Sequence, residues 1–191
     1  MKKNLSSTRT FVSCKRCIPY SLIQENRKTI SLSVIDGMVV VKAPRRASLS
    51  FIDSFVDLKS EWIEKRLRHL EEAIKVDTMN PKEREAARLR LLNKTKIFLS
   101  TYDGIKPKRI FIRASTSRWG SCSSLGNISL SIYLDAVNDE LFEYVLLHEL
   151  THLYFMNHST DFWTRLARQM PDYKERRKQL KKYILPKSNK G

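Results

Sequence analysis

The sequence is short of cysteine, of long apolar runs and of acidic side chains, and each shortage narrows what the protein can be. Three cysteines in 191 residues cannot all pair, which argues against a disulfide-stapled secreted scaffold. The opening MKKNLSSTRTFVSCKRC builds no apolar stretch of signal-peptide length, so a reducing, cytoplasmic setting is expected. No run approaches the roughly 18 apolar residues of a membrane-spanning helix, and no membrane partner is expected. There is also no internal repeat and no low-complexity linker. Against 20 Asp and Glu stand 36 Lys and Arg, a formal +16 that attracts nucleotides, nucleic acids and other acidic partners. The basic residues are spread from Arg45 to Lys182, as on the solvated faces of a protein this charged.

What is present reads as one soluble body of α+β class. Apolar residues make up 41% of the chain, enough for a sizeable core. Residues 1–17 are polar, basic and without period, and read as a loose arm. Residues 18–80 form a hairpin-and-helix region: Ile30, Leu32 and Val34 alternate, Asp36-Gly37 turns the chain, and Met38 to Val41 return. A helix capped at Ser48 or Ser50 carries Phe51, Ile52, Phe55, Leu58, Trp62, Ile63 and Leu67 to about Lys75. Residues 81–185 form the second region, with a soft boundary near 80 and a frayed tail over 186–191. Asn80, Pro81 and Glu83 open a helix through Leu89, Leu92 and Ile97 that Asp103-Gly104 ends. Strands are predicted over 109–113 and 127–134, with an irregular stretch between them. Asn138 caps an apolar helix, Ser159 caps the next, and Pro171 starts a basic terminal one.

His148-Glu149-Leu150-Thr151-His152 lies inside the apolar helix. Spacing of four puts both imidazoles on one face, one turn apart, where two nitrogens can converge on one ion. Zinc suits imidazole ligands and a tetrahedral site with one open position, and Glu149 beside the first ligand can take a proton from water as general base. The bland alternative is a surface helix with two chance histidines. It fits poorly with the flanking Tyr-Val-Leu-Leu, where an unpaired charge would be costly to bury.

His158 is the third candidate ligand. On a continued helix it would sit about 120° around from His152 and roughly 9 Å along the axis, so the helix must end between them. Asn157, as a left-handed terminal residue, and Ser159, as a new cap, make a break there reasonable. Phe155 stands where the metzincin turn has glycine, which argues against that turn. Glu175 and Asp161 are the substitutes if His158 fails.

Taken in order, Arg118-Trp-Gly-Ser-Cys-Ser, Gly126-Asn-Ile-Ser-Leu, His148-Glu-Leu-Thr-His-Leu, Asn157-His-Ser and Phe162-Trp resemble the YgjP-like family of metal-dependent hydrolases. The likeness extends to Arg27-Lys-Thr-Ile-Ser-Leu and Val41-Lys-Ala-Pro-Arg-Arg, covering most of residues 20 to 184. The resemblance implies kinship with the SprT and WLM zinc peptidases and a zincin-like body. It also implies His148, His152 and His158 as ligands, with Glu149 as catalytic acid/base. For the family, both metallopeptidase activity and pyrophosphatase activity on UTP have been put forward.

Two further residues are candidates for binding the developing oxyanion: Arg118 and Tyr173. A structural arginine is an equal reading of Arg118. Trp119 and Cys122 read as packing residues, and Cys14-Lys-Arg-Cys17 is a single pair that cannot build a four-thiolate site. Three functions follow. The first is a zinc metallopeptidase acting on peptide or protein. The second is a metal-dependent nucleotide pyrophosphatase, and the third a protein associated with nucleic acid through its basic surface.

Overall fold

Asp36 and Gly37 both take positive φ, 56° and 78°, which matches the right-handed twist of the strands they join. The computed structural model describes residues 6–12 and 17–187. The first strands are β1 (Ser6–Val12), β2 (Cys17–Glu25), β3 (Ser31–Ile35) and β4 (Met38–Pro44), arranged β1-β2-β4-β3. The Asp36-Gly37 turn joins β3 and β4 antiparallel, β2 runs parallel to β4, and β1 is antiparallel to β2. Part of the expected loose arm is therefore a strand. Its backbone groups pair with β2 from Ser6 opposite Ile23 to Val12 opposite Cys17, and such pairing needs no apolar period. Residues 1–5, 13–16 and 188–191 lie outside the described residues, Cys14 among them.

Two helices follow, α1 (Leu49–Leu58) and α2 (Ser60–Glu71), where the sequence predicts one. Ser48 caps the first by accepting from Phe51 N, and the chain breaks at Lys59, with φ −101° and ψ 6°. The break lets each helix turn a short apolar face inward: Ile52, Val56 and Ile63 join Tyr20, Leu22, Val39 and Val41 in one core. Phe51, Leu58 and Trp62, expected on that face, are exposed. This unit ends at Ala73, and a second begins at Ile74.

The second unit contains β5 (Ile74–Lys75), α3 (Pro81–Thr101), β6 (Arg109–Arg113), β7 (Gly120–Cys122) and β8 (Asn127–Ser131). It continues with α4 (Asp139–Thr151), α5 (Thr160–Gln169), α6 (Tyr173–Leu180) and β9 (Tyr183–Ile184). A capping box opens α3: Glu83 N donates to Asn80 Oδ1 at 2.9 Å and Asn80 N donates to Glu83 Oε2 at 2.7 Å, a device worth about 1 kcal/mol. The buried stripe of α3 is Ala87, Leu91 and Thr95, whereas Leu89, Leu92 and Ile97 face solvent. Small Ala87 and Thr95 allow close approach to the core, and the larger side chains one position off are left outside.

The three-stranded sheet runs β6-β8-β7, with β6 parallel and β7 antiparallel to β8. The strand predicted over 127–134 stops at Ser131, where the chain tightens into a 3-10 turn over Ile132–Ala136. Against this sheet lies α4, which is buried nearly all round through Leu141, Phe142, Val145, Leu146 and Leu150. Each large side chain so buried contributes about 1.5–3 kcal/mol. A helix apolar on every side belongs in the middle of a core, where a charged group is tolerated only for a reason. No helix among the described residues is long and apolar enough to cross a membrane.

Candidate metal centre

Asn138 Oδ1 accepts from Leu141 N at 3.1 Å and starts α4, which carries His148, Glu149 and His152 at its far end. The helix ends at Thr151 with His152 as its C-terminal cap, earlier than the expected break near Asn157. Asn157 is not left-handed, since among the described non-glycine residues only Asp36 has positive φ. The last turn closes instead by tightening: Leu153 N donates to Leu150 O, and Tyr154 N and Phe155 N both donate to Thr151 O. His152 Nδ1 then donates to Phe155 O at 3.0 Å, which holds the proton on Nδ1 and leaves Nε2 free to bind. Ser159 caps α5 by accepting from Phe162 N, as predicted.

This turn brings His158 back over the end of α4. One ligand atom from each of His148, His152 and His158 lies within 4.8 Å of the others, the one group of three or more such side chains among the described residues. Asp161 and Glu175 are not part of it. His158 Nε2 stands 3.0 Å from His148 Nε2. Nitrogens bound 2.0–2.1 Å from a tetrahedral ion stand roughly 3.3 Å apart, so the spacing fits a shared cation. Burial, with the charges of His152, His158 and Arg177, lowers His148 to about 3 and keeps it neutral, the form that ligates. His158 is lowered by the same kind of causes.

Glu149 is 6% exposed, and burial pushes its carboxyl up from 4.5 to about 7 against the opposing pull of Arg118. Arg118 is thereby brought into electrostatic reach of Glu149. It sits in the loop before β7, which Ser131 fastens: the Ser131 N–H donates to Trp119 O at 2.8 Å and its hydroxyl to Ser115 O at 2.7 Å. Trp119 packs on the core and Cys122 is a half-buried free thiol, as read from the sequence. Burial and the Glu149 charge push that thiol up, away from the reactive thiolate.

Tyr173 is buried, its ring stacked on Trp163 at 5.6 Å, and Trp163 stacks in turn on His158 at 5.4 Å. Sequence reasoning missed Trp163 and Phe162 as the aromatic wall around the histidines, although both lie in the Phe162-Trp163 motif. It also missed Gly120, which packs against Glu149, and Arg177, whose guanidinium carbon lies 4.9 Å from the Trp163 ring. The Arg-Trp-Gly order pointed toward Gly120, but nothing local singles out Arg177 within a basic helix.

Three converging imidazoles beside a buried glutamate on α4 have the make-up of a metal-dependent hydrolase. The chain belongs to the YgjP-like family, whose metallopeptidase domain matches residues 28–100 and 83–183. Membership carries the general activity of a metal-dependent peptidase. Comparison with curated proteins finds no match.

Proposed function

We propose that the protein is a zinc peptidase of the HExxH type, with a zincin-like catalytic unit, His148, His152 and His158 as ligands and Glu149 as general base. The observation that carries this reading is the convergence of the three histidines next to a buried carboxyl poised near neutrality. Zinc suits an all-imidazole set with one open position, and when bound it supplies Lewis acidity and makes water acidic enough to attack near pH 7. The Glu149 carboxylate takes the proton from the attacking water and returns it to the leaving amine. The Phe155 carbonyl and the Trp163 ring orient the two histidines that flank the turn.

The strand β7 supports a peptide substrate. Among the described residues it pairs only with β8, so its other side offers N–H and C=O groups to an extended chain beside Glu149. A groove of about 610 Å³ runs along this sheet, lined by Phe111, Arg113, Arg118, Ser121 and Cys122 among others. Its two arginines favour a second reading, hydrolysis of a nucleotide phosphoanhydride.

Metal analysis of the purified chain, followed by peptide, protein and UTP substrates with and without chelator, tests both. Zinc near one equivalent and chelator-sensitive peptide cleavage are expected. A chelator-sensitive signal on UTP alone would remove the peptidase reading.

A further inference from the structure

The neighbouring arginines of α6 have different surroundings. Arg176 is fully engaged: Nε meets Asp172 Oδ2 at 2.8 Å, and Nη1 meets Glu140 O at 3.0 Å and Glu143 Oε2 at 3.4 Å. Those contacts tie α6 to α4. Arg177 is exposed and, among the described residues, has no carboxylate within ion-pair distance. Its guanidinium carbon lies 4.9 Å from the centre of the Trp163 ring, and that ring lies 5.4 Å from the His158 ring and 6.0 Å from the His148 ring. The Trp163 ring is therefore shared by the guanidinium and the histidines, and one aromatic side chain links Arg177 to the site.

A cation beside a set of metal-binding histidines is unfavourable unless an anion joins them. A divalent ion held by the histidines and the Arg177 guanidinium would be two positive centres, with no carboxylate ion-paired to Arg177 among the described residues. The surplus of positive charge is relieved by an anionic group arriving with the substrate. A guanidinium offers five donors in a fork that matches two oxygens of a carboxylate or phosphate, and ring stacking occupies none of those donors. Stacking also restricts the long side chain, so less freedom is lost when the anion binds.

We propose that Arg177 is the anion-recognition residue of this site, receiving through its fork a carboxylate or phosphate group of the substrate next to the three histidines. The proposal rests on the metal-site reading above. It makes a substrate with a negative group near the scissile bond the preferred class, whether that group is a peptide carboxylate or a phosphate.

The test compares the parent chain, R177Q and R177K, each loaded with zinc and each metal-free. Metal affinity is measured first by chelator competition. Calorimetric titrations then follow with inorganic phosphate and with a peptide pair differing only in a free or amidated C-terminus. Metal affinity should be kept in both variants, or slightly strengthened as a repelling charge is removed in R177Q. R177Q should bind phosphate or the free-carboxylate peptide at least tenfold more weakly, with the amidated peptide unchanged and R177K intermediate. Dependence on Arg177 for phosphate alone identifies the substrate group as phosphate, and dependence for the carboxylate peptide identifies it as a carboxylate. Equal binding by parent and R177Q in every arm overturns the proposal, as does equal weakening of the amidated peptide. A parent chain that binds no metal sinks the metal-site reading separately, because the metal-free arms still read the contribution of Arg177.

Discussion

Gly120 on β7 packs directly on Glu149 of α4, so closely that a Cβ at position 120 would stand 2.6 Å from Oε1, 2.7 Å from Cγ and 2.9 Å from Cδ of the glutamate. The glycine leaves the space that the buried carboxylate occupies. Gly120→Ala should therefore displace Glu149, lower kcat/KM by roughly a hundredfold and cost about 1–3 kcal/mol of stability. Metal affinity should be kept, since the histidines are not touched. Unchanged kinetics would show that the carboxylate position does not matter.

Glu149→Gln keeps the shape of the side chain and removes its basicity. Turnover should fall by at least a hundredfold to ten-thousandfold while zinc remains bound. Single-turnover assays beside metal analysis separate this result from simple loss of the ion, and parent-like hydrolysis would refute the role of Glu149.

The two shifted groups pull the stability of the metal-free protein in opposite directions. Glu149 is raised from 4.5 to about 7, so the native state holds a proton that the unfolded chain has lost, and stability falls as pH rises through that window. His148 is lowered from 6.5 to about 3, so the unfolded chain takes up a proton that the native state refuses, and stability falls as pH drops through that window. Each slope reaches at most about 1.4 kcal/mol per pH unit. Glu149→Gln should make the chelator-treated protein about 3 kcal/mol more stable than the parent at pH 8, with the gain gone below pH 4.5. Urea unfolding at the two pH values reads this directly, and a gain independent of pH would contradict it.

His158 comes to the site through the 153–158 turn rather than on the ligand helix. His158→Ala should weaken zinc binding by roughly a hundredfold or more while leaving the helix intact. Chelator competition together with circular dichroism checks both halves. An unchanged dissociation constant would exclude His158 as a ligand.

The loop bearing Arg118 hangs on Ser131, which is 1% exposed. Ser131→Ala strands the Ser115 carbonyl and should cost about 1–3 kcal/mol. It should also raise KM for substrates that use Arg118 by about tenfold, with zinc affinity unchanged. A loss of stability with no change in KM would make Arg118 a structural residue.

Much of the architecture is legible in short windows of sequence. Asn80, Pro81 and Glu83 announce their capping box, Asp36-Gly37 its turn, and Asn138 and Ser159 their helices, because caps and turns are decided by a few adjacent residues. The misreadings lie where neighbours distant in sequence decide. A helical period cannot tell that Leu91 rather than Leu92 faces the core, nor that Lys59 divides one apolar pattern into two helices. The strand β7 was hidden in an irregular stretch because three residues hold no period, and pairing with β8 makes the strand.

At the site itself, the division is sharper. The sequence alone determined that His148 and His152 share a face and that Glu149 stands beside them, since the helical repeat makes residues four apart neighbours wherever the helix lies. Only the tertiary structure decided the rest. His158 converges because Thr151 O and Phe155 O close the turn, and Glu149 is poised because Gly120 of another strand packs against it. Arg177 meets the Trp163 ring, which stacks on His158, because α6 folds back on α5. These are contacts between segments far apart along the chain, set by packing that no local spacing encodes.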